Sequence, residues 1–307
     1  MALIFFGTPQ FAIPSLEALT NNSEDIALVI TQPDKASGRR HILSAPPIKD
    51  FALSKGLQIM QPETVREDTF CEELSRVRPE FIVVVAYGKL LPEKILRIPR
   101  SGSINVHASL LPKYRGAAPV QWALLNGETR TGVTTMLMDQ GLDTGDILLR
   151  APLDINEDDD GKTLGIRLSS LGAETLIQTL QGIRKGTITS TPQTGEVIYA
   201  PPLRKEDGKI DWNRNARELF NFVRGMFPWP AAYCYLYKDR IRISKVRPIV
   251  GDGVPGRVEK ASGGSLIVGT RNGLLSLEEL QPEGKRPMSA EAFIAGRKLR
   301  EGYEKFS

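Results

Sequence analysis

A chain of 307 residues, 41% hydrophobic and 25% charged, has the mix of one large or two ordinary globular domains, not that of a disordered polymer. Its 2 cysteines, Cys71 and Cys234, lie far apart and outside any C-x-x-C pair, which excludes a zinc ribbon, a thioredoxin-type redox site and a disulfide scaffold. No apolar run reaches membrane-spanning length, and the net charge of +4 is uneven: residues 1–203 hold 20 Lys+Arg against 23 Asp+Glu, residues 204–307 hold 20 against 13.

Taken in chain order, Ala2–Phe6, Ile26–Thr31 and Phe81–Ala86 are short, β-branched and apolar on both faces, as buried parallel strands are. The first follows no basic n-region and precedes no cleavage site, so it reads as a strand rather than a signal peptide, and a bacterial cytoplasmic protein is expected. Helical spacing fills the gaps at Phe11–Leu19, Pro47–Lys55 and Phe70–Val77. Ile104–Val106 predicts a further strand, Pro119–Asn126 a helix stopped by Gly127, and Asp146–Leu153 the closing strand. Lys162–Arg184 predicts a long amphipathic helix over one sheet face, ended by Lys185-Gly186. Strands alternating with helices imply right-handed crossovers, hence an α/β fold with a Rossmann-like open parallel sheet over residues 1–186.

Residues 187–204 break both periods with Pro192, Pro201 and Pro202 and read as a linker. In residues 205–307 a helical stretch, Asn215–Val223, precedes short strands at Ala232–Tyr237, Arg240–Val246, Gly256–Lys260, Leu266–Thr270 and Leu274–Leu280. Ala290–Arg300 predicts a closing helix, and the whole suggests a small C-terminal β-barrel, OB-like among the options. The basic charge of this module suggests a polyanionic partner, nucleic acid first, with a solvated Lys/Arg surface as the plain alternative.

Only 2 histidines are present. His41 lies in the basic run Lys35-Ala36-Ser37-Gly38-Arg39-Arg40-His41 and reads as a solvated loop residue. His107 ends the strand Ser103-Ile104-Asn105-Val106-His107, and strand alternation puts Asn105 and His107 on one side. Ligands of open α/β sheets bind at the carboxyl ends of strands, where such a pair can serve as hydrogen-bond donor and proton handler. A polar pair that merely satisfies itself at a strand end is the equal alternative. Downstream, Asp139-Gln140-Gly141-Leu142-Asp143-Thr144-Gly145-Asp146 sets acids among glycines, where a carboxylate can sit beside His107 and hold its ring.

Between these segments runs Ser109-Leu110-Leu111-Pro112-Lys113-Tyr114-Arg115-Gly116-Ala117-Ala118-Pro119-Val120. With Asn105-Val106-His107 before it and the acidic turn after it, this run resembles the signature of the 10-formyltetrahydrofolate-dependent formyltransferase family. Gly7-Thr8-Pro9-Gln10-Phe11-Ala12, Gln32-Pro33-Asp34 and Val223-Arg224-Gly225-Met226-Phe227-Pro228-Trp229-Pro230-Ala231 are similar to further family motifs, so the likeness spans nearly the whole chain. It is greatest to members acting on initiator methionyl-tRNA. The resemblance implies transfer of a formyl group from 10-formyltetrahydrofolate to the free amino group of methionyl initiator tRNA, with no metal, no membrane, and a monomer expected. It implies a catalytic trio at Asn105, His107 and Asp143. It also implies a folate site at Ser109, Leu110, Leu111 and Pro112, with backbone around Tyr87, Gly88 and Leu90 receiving the pterin ring. The tRNA acceptor end would meet Lys35, Arg39 and Arg40, and the basic module would track phosphates.

An amine that attacks a formyl carbon directly needs no enzyme nucleophile, and the chain has no G-x-S-x-G elbow and no Cys beside a His. Rival readings are a formyltransferase for glycinamide ribonucleotide or an amino sugar, a formyltetrahydrofolate hydrolase, and a non-catalytic RNA-binding protein. The basic module argues against the small-substrate enzymes, and the intact trio against the last. A nicotinamide dehydrogenase is disfavoured because Gly7-Thr8-Pro9 is no G-x-G-x-x-G loop.

Overall fold

The N-terminal apolar runs become the centre of a seven-stranded sheet. In the computed structural model, which describes residues 1–37, 42–297 and 299–307, the chain begins with β1 (Ala2–Gly7), α1 (Ile13–Asn21) and β2 (Asp25–Ile30). It continues through β3 (Lys35–Ser37), β4 (Ile42–Ser44), α2 (Pro47–Ser54), β5 (Ile59–Met60), α3 (Asp68–Val77), β6 (Phe81–Val85) and α4 (Glu93–Leu96). Then come β7 (Ser103–His107), α5 (Pro119–Leu125), β8 (Arg130–Leu137), β9 (Ile147–Asp154) and α6 (Gly161–Lys185). The strand order is β5-β2-β1-β6-β7-β8-β9. From β5 to β7 every pairing is parallel, so the Rossmann-like sheet is present; β8 pairs antiparallel with β7, and β9 antiparallel with β8.

Burial explains the centre. Ile4, Phe6, Ile30 and Val84 face a cluster with Phe70 and Leu74 of α3 and Ile95 of α4. Leu3, Phe5 and Val83 alternate to the other face and are also fully buried, as strands covered on both faces require. On the β7–β8 side α6 supplies the cover: a Cβ on Gly172 would stand 3.0 Å from Val106 Cγ1, so the glycine permits close approach.

The chain divides into two compact units. The first comprises Met1–Pro119, Arg130–Asp154 and Gly165–Pro201; the second comprises Val120–Thr129, Ile155–Leu164 and Pro202–Ser307. The stretch read as a linker, 187–204, thus lies mostly with the first unit, through Pro201.

In the second unit α7 (Ala216–Met226) starts on a capping box, Asn215 Oδ1 accepting from Glu218 N (2.9 Å) while Glu218 Oε2 accepts from Asn215 N (3.1 Å). The strands β10 (Ala232–Leu236), β11 (Asp239–Ile249), β12 (Val258–Ser262), β13 (Ser265–Gly269), β14 (Leu274–Pro282) and β15 (Met288–Ser289) form one antiparallel sheet, ordered β10-β11-β14-β13-β12 with β15 on β14. The predicted closing helix is shorter than read, α8 (Ala290–Ala295), because the chain leaves it at Gly296. Tyr235 and Ser307 exchange two backbone bonds (2.7 and 2.9 Å), Phe306 N donates to Gly256 O (2.8 Å) and Val258 N to Glu304 O (2.9 Å). The last residues therefore bond both edge strands, β10 and β12.

Candidate active site

Because α6 covers the Val106 side of β7, alternation sends Asn105 and His107 out of the opposite face. Asn105 is half-buried and His107 is buried, 6% exposed. The acidic turn between β8 and β9 brings Asp143 to them. Asn105 Nδ2 donates to Asp143 Oδ1 at 3.4 Å, and His107 Nδ1 lies 3.6 Å from Asp143 Oδ2. The trio implied by the sequence thus converges from segments 36 and more residues apart.

Two further groups fix the arrangement. Gly116 N donates to Asp143 Oδ2 at 2.8 Å, and His107 Nε2 meets Tyr114 O at 2.9 Å. A carbonyl only accepts, so Nε2 carries hydrogen. Both ring nitrogens therefore face oxygen. Gly116 cannot be exchanged for a larger residue: its φ is +127°, and a Cβ would stand 2.6 Å from Ala200 O. Neither Tyr114 nor Gly116 was given a role by the sequence, although both lie in the motif that pointed to the family.

The residues expected at the folate site fall into two loops. At the end of β6, Ala86 (φ 48°) and Gly88 (φ 85°) take left-handed backbone, and a Cβ on Gly88 would stand 2.7 Å from Gln32 Nε2. Tyr87 O accepts from Thr8 Oγ1 (3.0 Å) and Gln32 Nε2 (2.8 Å), tying together the ends of β1, β2 and β6. Strand order reverses between β1 and β6, the position where open α/β sheets bind ligands. The Tyr87 ring packs in the core, and Leu90 is exposed. In the second loop, Ser109 Oγ donates to Lys113 O (2.5 Å), Thr134 Oγ1 donates to Ser109 O (2.7 Å), and Arg150 Nη2 donates to Leu111 O (2.6 Å). Leu111 packs with Met136 and Ile147, Leu110 is half-buried, and Pro112 is buried.

Of the basic residues expected at tRNA, Lys35 is exposed and its Nζ donates to Gln32 Oε1 at 2.8 Å. Arg39 and Arg40 lie outside the described residues, as does His41. Beside Lys35, hydrogen bonds from Gln61 and Lys49 hold the Asp34 carboxyl below the usual carboxylate range. Among the described residues no three His, Cys, Asp or Glu side chains gather as metal ligands, and no helix is long and apolar enough to cross a membrane.

An open α/β sheet with Asn, His and Asp converging at a strand end is followed along the chain by an antiparallel module, and comparison with known proteins places this architecture among formyl-transferring enzymes. The chain belongs to the formyl transferase family: residues 1–180 match its formyl transferase domain and residues 202–298 its C-terminal domain. It is 56% identical over 305 residues to the methionyl-tRNA formyltransferase of Thermodesulfovibrio yellowstonii, covering 99% of each chain. Among solved structures it resembles the N-formyltransferase of Helicobacter canadensis in complex with folinic acid and dTDP-3-aminofucose, with TM-score 0.68, 20% identity, and 90% of this chain and 98% of that one covered. It also resembles HypX from Aquifex aeolicus in complex with tetrahydrofolic acid, with TM-score 0.66, 15% identity and 97% of this chain covered, but it spans only 48% of that chain. These two likenesses are of fold.

Proposed function

We infer that this chain transfers the formyl group of 10-formyltetrahydrofolate to the free amino group of methionyl initiator tRNA, giving N-formylmethionyl-tRNA for translation initiation. Its full-length likeness to a methionyl-tRNA formyltransferase carries the substrate. The observation that carries the chemistry is the Asp143 carboxylate held between Asn105, His107 and Gly116 N at the end of β7.

The formyl donor supplies an electrophilic carbon, and the chain's work is to orient, to stabilise charge and to move a proton. Asn105 spends one amide N–H on Asp143 and keeps the second for the formyl oxygen. His107 offers Nε2–H to the same oxygen, passing it from Tyr114 O. Asp143 orients both donors and takes the proton that the attacking amine releases, directly or through one water; once the new N–C bond has formed, the formyl C–N10 bond breaks and tetrahydrofolate leaves with a proton on N10.

The folate fits the two loops by the character of their backbone. A flat ring bonded mainly by main-chain groups needs loops that are open and rigid, and the left-handed residues 86 and 88 provide such a turn at the sheet's switch point. Tyr87, Gly88 and Leu90 would meet the pterin, and Ser109, Leu110, Leu111 and Pro112 would form the wall beside the trio. Tyr87 O is already committed to two donors, so the ring bonds to its neighbours rather than to that carbonyl.

Catalysis then belongs to the first unit, with the stretch through Pro201 as part of it, and tRNA affinity to residues 205–307, with Lys35, Arg39 and Arg40 meeting the acceptor end. The bonds from residues 304–307 to both β10 and β12 support an OB-like closure of the C-terminal sheet. One chain supplies the whole trio, so a monomer suffices, and the bacterial relatives' part in translation supports a cytoplasmic setting. The test is transfer of labelled formyl to initiator Met-tRNA with glycinamide ribonucleotide offered alongside. Label on tRNA alone is expected; label on the ribonucleotide, or formate released with neither labelled, would overturn the reading.

A further inference from the structure

We propose that Gln193 is a positioning residue for formyl transfer, fixing the backbone on which Asp143 stands and itself fixed by Arg115. This rests on Asp143 acting in catalysis. The stretch carrying Gln193 is tied at both ends to the catalytic unit. Thr191 and Ile147 exchange two backbone bonds (2.8 and 2.9 Å), while Arg115 N donates to Ile198 O (2.9 Å) and Ala200 N to Arg115 O (2.7 Å). Between these ties Gln193 Nε2 donates to Asp143 O and to Gly145 O, each at 2.8 Å. Gln193 Oε1 accepts from Arg115 Nε (3.1 Å) and Nη2 (2.7 Å).

Chemistry settles which way this amide points. A guanidinium only donates and carbonyls only accept, so the flipped amide would face like with like at all four contacts. Every hydrogen of the Gln193 amide is spent on the acidic turn, and none on the reacting groups.

Asp143 gains from such support because its φ is 53°, a left-handed conformation that a residue with a Cβ holds only where the surrounding turn is fixed. The turn is held from two sides. Arg115 secures its backbone through Gln193, and the next residue, Gly116, secures the carboxylate through its N–H. One dipeptide thus clamps both the main chain and the side chain of Asp143. Without Gln193 the turn loses its two backbone bonds, and Asp143 loses registry with Asn105 and His107, while the folate loops keep their own hydrogen bonds.

The test uses the full-length enzyme. Gln193→Met keeps length and volume but removes both donors and the acceptor. Gln193→Glu keeps the Arg115 contact as an ion pair, protecting the fold, but sets anionic oxygen against two carbonyls. Both should lower kcat about 10- to 100-fold, the usual cost of losing a group that orients a reacting one. KM for each substrate should stay within about threefold of wild type, since uniform binding is untouched. Rates are expressed per folate-binding site, so loss of folded protein does not count. Asp143→Asn is measured alongside. Wild-type turnover in Asp143→Asn would overturn the assignment of Asp143 and this inference with it. With Asp143→Asn inactive, wild-type kcat in either Gln193 variant, or a loss appearing in KM instead, would overturn the role of Gln193 alone.

Discussion

At the scale of single residues, the site is built from one strand and one turn that reach each other only through folding. Asn105 and His107 were legible because strand alternation is local: two residues apart on a strand is enough to put them on one face. Asp143 was not legible in that way, since Asp139, Asp143 and Asp146 are equivalent as a pattern and only the family likeness singles one out. Asp139 accepts from Gly141 N (3.0 Å) and Thr144 Oγ1 (2.6 Å), folding the turn, and it is Asp143 that turns toward His107. Gln193 was invisible, because its partners are 48, 50 and 78 residues away and nothing in Thr-Pro-Gln-Thr announces them. Replacing His107 by Ala or Asp143 by Asn should lower single-turnover transfer by on the order of 10²–10⁴ while folding and tRNA affinity survive. Filter binding of tRNA run beside the transfer assay separates these effects, and transfer at the wild-type rate in either variant would remove that residue from the trio.

At the scale of elements, apolar runs such as Ala2–Phe6 and Phe81–Ala86 announced their strands, but β8 went unread. Its sequence, Arg-Thr-Gly-Val-Thr-Thr-Met-Leu, buries Thr131, Thr134 and Thr135, and a hydrophobicity pattern does not register a strand that buries three polar residues, two of them through particular partners. Thr134 donates to Ser109 O, and Thr135 Oγ1 lies 2.7 Å from Thr179 Oγ1 of α6. The end of β6 poses the opposite case, a polar group placed among apolar ones. Tyr87 is 1% exposed and meets Phe6 edge to face, with centroids 5.1 Å apart. Its hydroxyl has no hydrogen-bond partner among the described residues, and burial pushes the phenol up to about 12 from the ordinary 10.0. Below pH 10 both folded and unfolded chains keep this proton, so it does not affect stability there. Between about pH 10 and 12 the unfolded chain releases the proton and the folded chain retains it, so stability falls, by up to ~2–3 kcal/mol. Tyr87→Phe should remove that part of the alkaline loss without weakening the protein at neutral pH. Urea midpoints near pH 8 and near pH 11 check this, and an unchanged alkaline loss in the variant would show that the burdened group lies elsewhere.

At the scale of the whole molecule, charge divides where we propose that the work divides. Residues 204–307 carry 20 Lys+Arg against 13 Asp+Glu, and residues 1–203 carry 20 against 23. An excess of this kind does not specify a fold; it sets up a field that a polyanion feels. Phosphate contacts release condensed counterions, so an affinity built on them falls steeply with salt, whereas a folate held, as proposed, by backbone and apolar walls would have far less such dependence. Raising salt from about 50 to about 200 mM should therefore raise KM for initiator Met-tRNA at least ~10-fold, with KM for the formyl donor nearly constant. Arg39→Ala combined with Arg40→Ala should raise KM for tRNA and reduce its salt slope by about the two lost contacts, again without touching the folate KM. A tRNA KM indifferent to salt would mean that the basic surface is merely solvated. An equal rise in both constants would mean that salt acts on the catalytic unit itself, and the separation of affinity from chemistry along the chain would fail.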